Sequence, residues 1–137
     1  MWAQKSVFAT AALLMVFCGA RTVFAAGRED TDRAVEYLLA YVARSDSIFI
    51  RNGQSYDAQQ AAAHLRAKYN YFKAQIQTPE DFIRLAGTKS ELSGKPYLVQ
   101  TRGGRVFKSA EWLTQILVDY RAGQQTSEDD PIGHLTR

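Results

Sequence analysis

The chain has 137 residues, 46% of them hydrophobic and 23% charged, which is the length and composition of one globular domain. The formal charge of the whole chain is +3, from 17 basic and 14 acidic residues. Two of the basic residues, Lys5 and Arg21, lie in an N-terminal segment that we predict to be removed, and without them 15 basic residues remain against 14 acidic ones. This balance gives no support for a nucleic-acid partner, because such proteins carry a strongly basic surface. We therefore predict that the protein does not bind nucleic acid.

The first 25 residues have the pattern of a secretory signal peptide. Lys5 gives a positive start, residues 6–19 are apolar, and short side chains at the −3 and −1 positions predict cleavage after Ala25. Cleavage also removes Cys18, the only cysteine, so the mature chain has no disulfide. The apolar run is shorter than the roughly 20 residues that span a membrane. Because Arg21 lies before the cleavage site, an uncleaved segment that contacts the membrane remains an alternative.

A polar linker and a first helix are predicted next. Residues 26–30 are mostly polar and are interpreted as the linker. Apolar residues then recur at steps of three and four from Val35 to Val42, which is the spacing of one buried helical stripe. We expect a helix from about Thr31 to Arg44.

The stretch after this helix predicts a hairpin that leads into a second helix. Residues 48–50 are β-branched or aromatic, and Asn52 and Gly53 both tolerate the positive φ of a tight hairpin turn. Asp57 as N-cap, with a glutamine three residues later, has the pattern of a capping box. We expect the second helix to run from Asp57 to about Gln75 and to be the longest and most central one.

The second half of the chain repeats this alternation of helices and short strands. Thr78 and Pro79 predict the start of a third helix, which Gly87 closes. Residues 88–96 contain glycine, proline and serines and are predicted to form a long loop. Residues 97–107 then hold two strand-like segments with paired glycines between them, which predicts a second hairpin.

These elements predict an α+β fold in a single domain over residues 26–121. We expect about four helices around a small antiparallel sheet of one or two short hairpins, preceded by the signal peptide. Ser109 is predicted to cap the fourth helix, which extends from Ala110 to about Arg121. Residues 122–137 lack apolar periodicity and are predicted to be a disordered tail. An all-α fold with irregular loops is the alternative if the strands do not pair.

The sequence contains no recognisable catalytic or metal-binding motif. His64 is the only histidine in the predicted domain, no G-x-S-x-G elbow accompanies it, and no cysteine remains after cleavage. The paired glycines at 103–104 lie between strands, whereas a phosphate-binding loop precedes a helix. We therefore predict no metal and no cofactor, and we lean against an enzymatic role.

One set of polar residues is nevertheless predicted to come together beside the second helix. His64 and Lys68 are four residues apart and share a face of that helix. If the loop at 88–96 folds over them, its hydroxyl and ammonium groups would complete a cationic pocket for a carboxylate or a phosphate. The candidate ligand- or partner-binding residues are Arg51, Asn52, His64, Lys68, Ser93, Lys95 and Tyr97.

Four short motifs occur in order along the chain: F-I-R-N-G at 49–53, A-x-H-L-R-x-K at 62–68, T-P-E-D-F-I at 78–83 and S-G-K-P-Y at 93–97. This series resembles the YfeK-like family of small exported bacterial proteins, a domain of unknown function. The likeness covers about residues 31–120. It implies a periplasmic or secreted bacterial protein, and it implies no activity. In the family pattern the recurring positions correspond to Arg51, Asn52, Gly53, His64, Lys68, Gly94 and Tyr97.

Three functional hypotheses remain open at this point. The first, which we favour, is a non-enzymatic binding or accessory module whose partner is a small anionic ligand or an envelope protein. The second is a small hydrolase-like enzyme of the cell envelope with His64 as general base, although neither an orienting partner nor a nucleophile is visible. The third is purely structural: the polar residues only hold the loop at 88–96 against the second helix. Taken singly, Lys68 is interpreted as a solvated residue whose side chain covers apolar surface, and Arg51 and Asn52 as residues that serve turn geometry.

Overall fold

The structure is a computed structural model that describes residues 19–128, with side chains described from 27 to 126. Within this range the chain forms four helices and four strands. The antiparallel pairing of the strands confirms the predicted α+β fold. The elements are α1 (Gly19–Arg44), β1 (Ile48–Arg51), β2 (Gln54–Tyr56), α2 (Ala58–Phe72), α3 (Pro79–Ala86), β3 (Leu98–Gln100), β4 (Val106–Lys108) and α4 (Ser109–Glu128).

The first helix, α1, begins earlier than the sequence predicts. Residues 26–30 are helical, so the predicted linker is wrong. Arg33 favours helix there, because it forms ion pairs with the acids three and four residues before it, at 3.4 and 3.0 Å. The helix starts at Gly19, within the predicted signal peptide, while residues 1–18 of that segment lie outside the described residues. Among the described helices, none is long and apolar enough to cross a membrane.

Both predicted hairpins belong to one sheet with the strand order β2-β1-β3-β4. The turn between β1 and β2 is the predicted one, since Asn52 and Gly53 have φ values of 53° and 79°. The central pairing of β1 with β3 joins the two hairpins and sets Phe49 opposite Val99. Both of these side chains are buried, so this face of the sheet packs against the helices.

The core lies between this sheet and the helices, and α1 is its centre. This helix buries a stripe from Ala34 to Val42 and packs against each of the other three helices. The expectation that the second helix would be the longest and central one is therefore wrong. The reason is that α2 carries a narrow apolar stripe, with Leu65 and Tyr69 buried, and is otherwise rich in alanine and polar residues.

The predicted capping signals are confirmed at α2 and α3. The Asp57 carboxylate accepts a hydrogen bond from the backbone N–H of Gln60 at 2.8 Å, and the Gln60 side chain accepts from the backbone N–H of Asp57 at 3.1 Å. Thr78 and Asp81 form the same reciprocal box at α3, which Gly87 closes. These signals were predictable because both partners of each box lie within four residues of one another.

Two helix ends differ from the prediction. A turn closed by a 2.8 Å hydrogen bond from the Gln75 N–H to the Phe72 carbonyl ends α2 at Phe72. In contrast, α4 continues past Arg121 to Glu128, so residues 122–128 are helical and are not part of a disordered tail. The side chains are exposed there as far as they are described, which explains why this stretch lacks apolar periodicity. The rest of the predicted tail lies outside the described residues.

Candidate functional site

The loop over residues 88–97 folds across α2, as hypothesised from the sequence. The Lys68 ammonium on α2 donates a hydrogen bond to the carbonyl oxygen of Lys89 at 3.1 Å and lies 3.4 Å from a carboxylate oxygen of Glu91. Two backbone hydrogen bonds of 3.0 and 2.9 Å across the loop hold its shape. The helix and the loop therefore form one surface.

A second set of contacts, the turn–loop cluster of Asn52, Ser90 and Ser93, ties the first hairpin turn to this loop. The Asn52 side-chain amide donates to the Ser90 hydroxyl at 3.5 Å and accepts from the Ser93 hydroxyl at 2.5 Å. Ser90 is 5% exposed and also accepts from the backbone N–H of Ser93 at 3.4 Å. The side chain of Lys95 is exposed and contacts none of the predicted site residues within the described part of the chain.

Lys68 is buried, so the hypothesis that it is a solvated surface residue is wrong. It is 9% exposed, and its ammonium lies 5.3 Å from the centre of the Tyr97 ring and 5.8 Å from that of Phe72. Both distances are within the range of a cation–π interaction. Burial lowers the pKa of Lys68, the Glu91 carboxylate opposes this shift, and the positive charge of Arg51 adds to it.

Arg51, His64 and Tyr97 form a connected row that we call the polar wall. Nη1 of Arg51 lies 2.8 Å from Nδ1 and 3.2 Å from Nε2 of His64, and this Nε2 lies 3.1 Å from the Tyr97 hydroxyl. Because a guanidinium only donates, the ring nitrogen that accepts from it carries no proton; with Nδ1, the nearer one, as acceptor, the ring proton lies on Nε2 and can be donated to the Tyr97 hydroxyl. Nη2 of Arg51 also donates to the Tyr56 hydroxyl at 3.2 Å.

The surroundings of the polar wall keep His64 neutral. Burial lowers the pKa of His64 below its ordinary value of 6.5, and the positive charges of Arg51 and Lys68 lower it further. Burial raises the pKa of Tyr97 above 10.0. At pH 7 the wall therefore carries one positive charge, on the guanidinium, beside a neutral imidazole and a neutral phenol.

Two cavities meet at the polar wall, since all three of its residues line both of them. The sheet cavity, of about 360 Å³, lies between α2 and strands β1 to β3. The loop cavity, of about 390 Å³, lies between α2 and the 88–97 loop. Of the remaining predicted residues, Asn52 and Lys68 line the loop cavity, whereas Ser93 and Lys95 line neither.

Sequence patterns missed three polar residues of the sheet cavity, Tyr56, Gln60 and Ser109. Tyr56 was predicted only as part of a return strand. Ser109 was predicted to cap the fourth helix, but its side chain makes no capping hydrogen bond; its backbone N–H donates to the carbonyl oxygen of Tyr97 at 2.8 Å. Extending the predicted second hairpin by two residue pairs, from Phe107 to Ser109, would have placed Ser109 beside Tyr97.

The site is rich in hydrogen-bond donors and poor in metal ligands. Most of its polar groups can donate, namely a guanidinium, an ammonium, phenols, hydroxyls, two amides and an imidazole, and such groups suit anions and other acceptors; the carboxylate of Glu91, in the loop cavity, is the exception. Among residues 19–128, no three histidine, cysteine or acidic side chains come together where they would hold a metal ion.

A four-stranded antiparallel sheet backed by helices, with donor groups between α2 and the sheet, defines a small α+β domain with a candidate anion site. The chain belongs to a family of unknown function (DUF5329), whose model matches residues 29–121. It is 33% identical over 94 residues to the uncharacterised protein YfeK of Salmonella typhimurium, which covers 69% of this chain and 76% of that protein. The family resemblance is thus confirmed. No solved structure matches the chain.

Proposed function

We propose that the protein is an exported, non-enzymatic binding module that holds a small organic anion at the polar wall. The observation that carries this proposal is that Arg51, His64 and Tyr97 line both cavities. A guanidinium has five N–H groups, and the contacts of Arg51 with His64 and Tyr56 leave some of them for a ligand. Such groups bind carboxylate and phosphate oxygens well.

The surroundings of His64 favour binding over catalysis. A general base needs a free lone pair and commonly an acidic group that orients its ring. Here Nδ1 faces Arg51, Nε2 faces Tyr97, and two cations lower the pKa of the imidazole. This arrangement supports a role for His64 in positioning the guanidinium and the phenol.

Thermal unfolding of the purified protein with a panel of carboxylates and phosphates tests the proposal. We expect one of these anions to raise the melting temperature of the parent. Arg51→Gln should weaken binding about 10- to 100-fold, because a hydrogen bond to a charged group contributes roughly 1.5–3 kcal/mol. Arg102→Gln is the matched control, since the Arg102 side chain is 86% exposed beside the turn of the other hairpin. The proposal is wrong if no anion stabilises the parent or if both variants lose binding equally.

The proposed location is the periplasm or the external medium. The signal-peptide pattern of residues 1–25 and the family resemblance support this location. We expect the mature protein to begin at Ala26, which an intact-mass measurement of the exported protein would test. A product that retains residues 1–25 would favour the uncleaved membrane segment instead.

A separate observation favours a structural role for part of the predicted polar set. The Asn52 side chain bonds to the hydroxyls of Ser90 and Ser93, while Lys68 bonds to the loop backbone. We therefore propose that these residues hold the 88–97 loop in place and leave ligand contacts to the polar wall. Urea unfolding of variants at Lys68, Ser90 and Ser109 tests this division.

A further inference from the structure

We infer that the ligand lies in the sheet cavity and is a monocarboxylate with an apolar body and one further uncharged polar group. This ligand class rests on the proposed function and narrows it. The carboxylate would meet Arg51 and the phenol of Tyr97, the apolar body would lie against α2 and the sheet, and Ser109 would bind the uncharged group.

The strand register places these three residues in one row. Ile50 pairs with Leu98, and Leu98 pairs with Lys108, so the next residues along β1, β3 and β4 are Arg51, Tyr97 and Ser109. The hydrogen bond from the Ser109 N–H to the Tyr97 carbonyl at 2.8 Å continues that register. Neighbouring strands lie about 4.8 Å apart, so the row presents a charged group and a hydroxyl roughly 10 Å from each other at the backbone.

Ser109 is the independent indication that this row serves a ligand. It is 3% exposed, yet its hydroxyl has no hydrogen-bond partner within the described part of the chain. No fully enclosed side-chain N or O atom there lacks a partner, so the Ser109 oxygen keeps some accessible surface, and the residue lines the sheet cavity. A hydroxyl that is accessible and has no partner in the protein can form a hydrogen bond with a ligand atom in the cavity. Every other buried polar side chain has a partner, namely those of Thr31, Lys68 and Ser90.

The charge and lining of the sheet cavity favour a monoanion with an apolar body. Arg51 is the one charged residue among its lining residues, since Lys68 and Glu91 line the loop cavity instead. One cation matches one carboxylate better than a dianionic phosphate. Much of the remaining lining is apolar, and a volume of about 360 Å³ is at the small end of ligand pockets. The apolar lining residues are Phe49, Ile50, Ala61, Ala63, Leu65 and Leu98.

Two alanines on α2 allow the two cavities to be blocked separately. Ala63 and Ala67 are both exposed and lie one turn apart, and they line the sheet cavity and the loop cavity respectively. Ala63→Leu should fill the first cavity and Ala67→Leu the second, with little effect on folding in either case because neither site is in the core. The probes are acetate, butyrate, hexanoate, succinate and inorganic phosphate, titrated by NMR at fixed pH and ionic strength.

For the parent we expect affinity to rise about threefold to fourfold for each CH₂ that enters the cavity. Ala63→Leu should lower hexanoate affinity at least tenfold, and Ala67→Leu should change it less than twofold. Ser109→Ala should weaken binding of 6-hydroxyhexanoate about threefold to tenfold and leave that of hexanoate unchanged.

Any other result overturns the inference, and each contrary result shows which part of it is wrong. If affinity does not depend on chain length, or if succinate or phosphate binds more tightly than hexanoate, the ligand class is wrong but the proposed anion site stands. If Ala67→Leu blocks binding and Ala63→Leu does not, the ligand lies in the loop cavity. If Ser109→Ala weakens both six-carbon acids or neither, Ser109 does not bind the uncharged group. If no anion binds the parent, the proposed function fails as well.

Discussion

The two cavities at the polar wall differ in how fully their polar groups are used. On the loop side, Lys68 bonds to a carbonyl and approaches a carboxylate, and Asn52, Ser90 and Ser93 bond to one another. On the sheet side, the Ser109 hydroxyl has no hydrogen-bond partner within the described part of the chain, and Arg51 retains N–H groups. Polar groups that satisfy each other stabilise a fold, whereas buried groups with unused capacity indicate a ligand.

The largest effect that would test this comparison is expected at Lys68. Lys68→Ala removes a buried side chain and leaves the Lys89 carbonyl without its donor, so we expect the free energy of unfolding to fall by about 2–3 kcal/mol. Urea unfolding monitored by circular dichroism measures this change. Lys95→Ala is the control and should change stability by less than about 0.5 kcal/mol, because that side chain is exposed. Equal, small losses in both variants would mean that Lys68 does not hold the loop.

Two buried serines give an intermediate and sharper test. Ser90→Ala should lower the free energy of unfolding by about 1–2 kcal/mol, because it removes a partner from Asn52 and from the Ser93 N–H. Ser109→Ala should leave stability unchanged, because the hydroxyl that it removes has no hydrogen-bond partner within the described part of the chain. The same urea experiment compares them. A loss at Ser109 as large as that at Ser90 would show that both hydroxyls are structural, and the distinction between the cavities would disappear.

The smallest expected effect is a pH dependence that comes from His64. Its pKa is lower in the folded protein than the ordinary value of 6.5, so the unfolded chain takes up a proton first as the pH falls. Stability should therefore be independent of this group above pH 6.5 and decline as the pH falls from 6.5 through the folded pKa. Stability curves of the parent and of His64→Gln between pH 5 and pH 8 measure the difference.

The variant is expected to have a flatter curve in that interval. Carboxylates whose pKa values are lowered by arginine partners, those of Glu36 and Glu80, lose their contribution only at more acidic pH, so they do not obscure the result. If the parent and His64→Gln decline in parallel, the histidine is not held neutral by the polar wall.

Sequence patterns predicted the local features of this fold and most of the polar residues at the polar wall and the loop cavity. The Asn52-Gly53 turn, the Asp57 box and the Thr78-Pro79 helix start were predictable, because the atoms that decide each of them lie within four residues. The spacing of His64 and Lys68 likewise placed both side chains on one helix. The start of α1 and the end of α4 were not predictable from apolar periodicity, because ion pairs support the first turns of α1 and the described side chains at the end of α4 are exposed.

By itself, then, the sequence determined the alternation of helices and strands, the turns between paired strands, the family and the candidate residues around α2. Only the tertiary structure decided that β1 pairs with β3, which brings Arg51 beside Tyr97 and sets Ser109 in the same row. It also separated the contacts that hold the loop from those that face the sheet cavity. The physical reason is that hydrogen-bond satisfaction depends on partners distant in the chain, and local patterns do not record which of those partners meet.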